Sequence, residues 1–290
     1  MATAASMCRP HASEARRPEA GSRAVGVSDG RPKGARRRRR LDAKHDSAPG
    51  LAPAGDARHQ VSPYYLGRQE RTAIRNDDPL EHILQRSNAL QEQLDALLRG
   101  AAFDSSPRGE AALSMCLVAM EHATALRALV ALGLPTSAVS LMRMQFEALT
   151  RAMWLLYAAG DAAIDKLLAP LTPGSEQAAK NLPGASEMIE QIGKRVGQDA
   201  PPAAHQMLSH FKDVTWHAMN SFVHGGIHPL RRSADGFPVD LVVQVLRSSN
   251  GLTTMTGMTM AILTGSEAVT KPMSKIQPVF ADCLPDLLKP

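Results

Sequence analysis

Half of the chain's ten histidines, His205, His210, His217, His224 and His228, fall between Pro202 and His228. On an α-helix, His210, Asp213, His217, Asn220, Ser221 and His224 project into one arc of roughly a quarter turn. Histidine titrates near neutral pH, and a carboxylate one turn away orients its ring and raises its basicity, so Asp213 beside His217 has the form of an acid–base pair. A metal centre fits poorly. Histidines seven residues apart stand about 10.5 Å apart along the axis, too far to share one ion at bonds of about 2 Å. Only Asp213 with His217, or His217 with Asn220, could chelate together, so neither metal nor cofactor is expected. The competing reading is structural, with one or two of these histidines serving as satisfied core groups in a polar network. Phe211, Val214 and Phe222 flank the arc on one side and Trp216 and Val223 on the other, so it is expected to face the interior or a crevice.

The helix that carries this arc starts at Pro202 and ends at Gly225 and Gly226, glycine being the residue that takes the left-handed C′ conformation without strain. Its expected partner is the helix from about Pro135 to Ala159. Val139, Leu141, Met142, Met144, Phe146, Leu149, Met153, Leu155 and Leu156 leave that helix no wet face, which predicts the central, most buried position. Yet Ser140, Arg143, Glu147, Thr150, Arg151 and Trp154 share one narrow arc of it. Arg143, Glu147 and Arg151, spaced four apart, form a ladder in which each charge finds an opposite one. Charges on a buried helix are costly unless paired, and loss of the central carboxylate would strand two arginines at several kcal/mol. The expected site is therefore Arg143, Glu147, Asn220 and His224, supported by Asp213, His217 and Arg151.

The rest of the chain is read as the scaffold for these two seams. Apolar residues make up 44% of the 290 residues and aromatics 4%, and alanine, leucine and methionine favour packed helices over sheets. Asp78, Pro79 and Glu81 form a capping-box start for a helix to about Arg99, and Ser106 and Pro107 start another to Leu132. Glu121, His122 and Arg127 on the latter are expected to be partly exposed. Two short helices and loops should fill 161–202 as a flap, HPLRRSADGFP should be a loop, and a long helix should run from Pro238 to about Thr264, with a last short one after Pro272. The fold class expected is all-α, an antiparallel bundle of four to five main helices spanning 77–290.

Residues 1–76 are expected to be a disordered, Arg-rich extension, since ARRRRR at 35–40 and few large apolar residues cannot offset ordering entropy. Residues 1–75 carry 16 Lys and Arg against 7 Asp and Glu, whereas 76–290 carry 17 against 21. The high pI thus belongs to the tail, and the domain is mildly acidic. Three distant cysteines, Cys8, Cys116 and Cys283, match a reducing compartment. No uninterrupted apolar window reaches the ~18 residues of a membrane span. A cytoplasmic protein without membrane association is expected.

Asn220 and His224 within MNSFVHGG resemble the R-N-x-x-x-H motif of the HEPN (higher eukaryote and prokaryote nucleotide-binding) superfamily. Arg143 and Glu147 in LMRMQFEALTRAMWLLYAA resemble the Arg-x-x-x-Glu pair of uncharacterised bacterial helical families grouped near it. The resemblance implies a helical bundle, often a homodimer, in toxin or defence systems. Active members cleave RNA without metal, the motif histidine handling the 2′-hydroxyl proton and the motif arginine steadying the phosphate. Here Met219 stands at the arginine position, which removes the cation the transition state wants unless Arg143, Arg151, Arg231 or Arg232 supplies it. Three functions follow: a degenerate module binding a nucleotide, RNA or a partner protein; a metal-independent endoribonuclease toxin using His224; or a structural or interaction domain whose polar network fixes helix register.

Overall fold

The two local start signals set the first helices as expected. In the computed structural model, which describes residues 78–286, Asp78 Oδ1 accepts the Leu80 N–H at 2.9 Å and opens α1, Pro79–Leu98. Glu81 bonds the Gln85 side chain instead of closing a capping box. Ser106 Oγ accepts the Gly109 N–H at 3.1 Å and opens α2, Pro107–Ala131. A three-residue turn with Gly133 in the left-handed region, φ 75°, leads into α3, Pro135–Tyr157.

The described chain continues through α4 (Asp161–Leu168), α5 (Pro173–Ala179), α6 (Ala185–Gly193), α7 (Pro202–Val223), α8 (Ile227–Asp235), α9 (Val239–Leu263), α10 (Glu267–Met273) and α11 (Ile276–Val279), then a 3-10 turn at Ala281–Cys283. The fold is all-α, with no strand among the described residues. The expected count of four to five main helices does not describe it: shorter helices take up much of the chain between and after the long ones. Two stretches account for the difference. Three short helices, α4, α5 and α6, replace the expected two in 161–202. The predicted loop HPLRRSADGFP holds α8, because Gly226 and Gly236 punctuate it at both ends and leave nine residues free to coil between them. All described residues fall in one compact unit. The expected tail, residues 1–76, lies outside the described residues.

α3 is the hub. It touches α2, α6, α7, α8 and α9 and buries Phe146, Leu149, Ala152 and Leu155 completely. α9 packs on α1, α2, α3 and α10 and brings a buried polar seam. Gln145 of α3 donates to Ser249 O and Thr253 Oγ1 and accepts from Ser249 Oγ. Asn250 Nδ2 donates to Ser87 Oγ of α1 and to Cys283 O. These bonds fix the register of three elements, since an unmatched buried polar group costs about 1–3 kcal/mol.

Arg127 corrects another expectation. It is buried at 6% exposure, its Nη2 donating to Thr124 Oγ1 at 3.3 Å while its Nη1 has no partner. Burial pushes this guanidinium down, opposed by the Asp95 charge. α2 is also the one described helix long and apolar enough to cross a membrane by length and composition. It lies along α3, and Glu110, Ser114, Glu121 and Thr124 form its exposed side.

Candidate functional site

α7 is stabilised from one side only, by α3, α6 and α8. Its buried wedge is Ala204, Leu208, Met219 and Phe222, and Phe211 and Trp216 pack on Phe146 of α3 at ring distances of 4.9 and 6.3 Å. At 100° per residue, the stripe of His210, Asp213, His217 and His224 falls opposite that wedge. All four are exposed, which corrects the expectation of an inward-facing stripe. The apolar flanks misled because Val214, 69% exposed, and Val223 are themselves on the surface. Met219, at the position of the motif arginine, is sealed in the core.

The two seams nonetheless meet at the edge of the stripe. Arg143 Nη1 donates to Asn220 Oδ1 at 2.9 Å across 77 residues of sequence, and its Nη2 donates to Glu147 Oε1 at 2.6 Å. Its guanidinium lies 3.6 Å from the centre of the Trp216 ring, a cation–π stack that a planar arginine makes well. Trp216 and Asn220 are one turn apart on α7, so one arginine reads both. Burial pushes the Arg143 guanidinium down, and the Glu147 charge opposes the shift. The Arg143 side chain is 12% exposed and that of Glu147 45% exposed. The site is thus a closed anchor with one open lip, not a sealed chamber.

Other expected members are not drawn in. His224 is the C-cap of α7, its backbone N–H on Asn220 O and its ring in solvent. Asp213 and His217 stay on the outer face, and among the described residues the hydrogen-bond, ion-pair and stacking partners of Arg143 are Asn220, Glu147 and Trp216. Ser221 Oγ is occupied by the His228 N–H at 3.0 Å. The ladder stops halfway, since Arg151 makes no ion pair or hydrogen bond among the described residues and its Nε is buried without a partner. Trp154 turns the same arc toward α6 by donating to Gln191 Oε1 at 2.7 Å.

Trp216 as the arginine's platform, and Gln145, Ser249, Asn250 and Thr253 as polar core groups, are absent from the sequence reading. Trp216 was legible only as an apolar flank. Asn250 was visible as a polar residue within an apolar helix, a signal that a buried hydrogen bond must be waiting.

A helical protein with a partly buried arginine bridging two elements is the class this architecture defines. The chain belongs to the family of unknown function DUF6988, which matches residues 116–286. Arg143, Glu147, Arg151, Asp213, His217, Asn220 and His224 all lie inside that span, and α1 lies outside it. No curated protein and no solved structure matches the chain.

Proposed function

We propose that this protein is a non-catalytic, HEPN-like module of the bacterial defence or toxin type, binding a nucleotide or RNA at the seam of α3 and α7. The observation that carries the reading is the Arg143 anchor. A guanidinium held by Asn220, Glu147 and Trp216 is preorganised, and it ends at a half-exposed carboxylate beside an arginine with free donors. Binding is favoured over cleavage for geometric reasons. The position of the motif arginine is occupied by a core methionine, Arg143 is already spent on Asn220, and His224 stands in water with no cation bonded to it.

The test is incubation of the full chain with total RNA and with a nucleotide panel, following both cleavage and melting temperature. The expected outcome is a rise in melting temperature with a nucleotide or RNA, absent in Arg143→Ala, and intact RNA. RNA cleavage abolished by His224→Ala would replace this reading with the ribonuclease one. No shift with any ligand would leave the anchor as a device of helix register.

A further inference from the structure

On α3, Ser137, Ser140, Met144, Glu147 and Arg151 are exposed or half-buried and fall in one stripe along a side of the helix. Two arginines border it and they differ in kind. Arg143 has both terminal nitrogens bonded and its face covered by Trp216. Arg151, like Arg143, has its Nε enclosed without a partner; unlike those of Arg143, its terminal nitrogens meet no acceptor among the described residues. The stem is held by packing and the fork is left open. Glu147, four residues earlier and in ion-pair geometry on sequence grounds, bonds Arg143 instead. The seam therefore carries one positive charge in excess.

We propose that Arg151 is the anion-contacting residue of this seam and that it takes a small phosphomonoester, such as a nucleoside monophosphate, rather than a polynucleotide. The inference rests on the ligand-binding reading above and narrows its ligand. A planar guanidinium matches two phosphate oxygens at once, and such charge-assisted bonds are among the strongest available. A polynucleotide needs a row of cations, one for each phosphate neutralised. The stripe supplies one. A second phosphate beside it would meet the half-exposed carboxylate of Glu147, one turn away on the same helix.

The experiment is calorimetric titration of the full chain with inorganic phosphate, with the four nucleoside monophosphates and with a single-stranded RNA oligonucleotide. It compares the natural chain with Arg151→Gln and Arg151→Lys. The basic run at 35–40 contributes equally to every variant, so only the part that changes with residue 151 is read. Arg151→Gln is expected to weaken nucleoside monophosphate binding by about tenfold or more, with partial recovery in Arg151→Lys, because lysine keeps the charge and loses the fork. With a single phosphate and no condensed counterions to release, affinity should fall only shallowly as salt rises, against the steep slope of a polynucleotide. Equal binding by the natural chain and Arg151→Gln, with loss in Arg143→Ala, would overturn this inference and leave the binding reading standing. An RNA-only response dependent on Arg151, with a steep salt slope, would overturn the choice of ligand. Absence of binding to nucleotide and RNA alike would end both.

Discussion

The pairing of Arg143 determines what its neighbours are worth. Were the ladder fully buried and fully paired, removal of Glu147 would strand two arginines at a cost of several kcal/mol. Instead Glu147 is half in water, Arg151 does not depend on it, and Arg143 keeps Asn220 and Trp216. Glu147→Gln is accordingly expected to destabilise by about 1 kcal/mol or less, as for other exposed ion pairs. Urea denaturation monitored by helicity would measure it, and a loss above about 3 kcal/mol would mean the carboxylate is buried with both arginines. The reading of these residues from sequence was half right for a physical reason. Spacing identifies which groups share a face, so the Arg143–Glu147 pair was legible. Spacing does not say which face is covered, so the exposure of His217 and His224 was not.

At the scale of elements, starts and stops were the legible part. Asp78, Ser106 and the Gly225–Gly226 pair act where the pattern placed them, because caps are local chemistry. The α7 exit shows it: Gly225 takes φ 65° and the Gly226 N–H reaches Ser221 O at 2.7 Å, closing the helix on orphan carbonyls. What local pattern did not disclose is how closely elements approach. A Cβ at Gly109 would lie 2.4 Å from the backbone oxygen of Asp104, in the turn whose carboxylate is held low by the Ser106 N–H and hydroxyl. Gly109→Ala should therefore cost about 1–3 kcal/mol by overpacking, although alanine is the better helix former. Thermal melts of the two proteins decide this, and an unchanged or higher melting temperature would refute the tight approach.

At the scale of the whole molecule, the last turns are clamped back on the first helix by one ion pair. Arg86 of α1 donates Nε to Asp282 Oδ2 at 2.6 Å and Nη2 to Asp282 Oδ1 and Val279 O, while its guanidinium covers Phe280. The Arg86 hydrogen bonds hold the Asp282 carboxyl below its ordinary value. A depressed folded value means stability that is fully present above the unfolded value, about 3.9, and is lost as pH falls through the folded one. The natural chain should exceed Asp282→Asn in urea resistance at pH 7, and the difference should shrink as pH drops below about 4. A difference that is constant across that range would remove the clamp from the stability of the fold. The sequence by itself determined the helical class, the caps, and the coincidence of Arg143 with Glu147 and of Asn220 with His224, because periodicity and capping act within a few residues. Only the tertiary structure decided that α3 lies at the hub, that α7 packs from one side and turns its histidines to water, and that Arg143 spans 77 residues to Asn220 while Arg151 is left with an open fork. Those outcomes depend on which faces neighbouring helices cover, a property of the assembled core that no single stretch of chain contains.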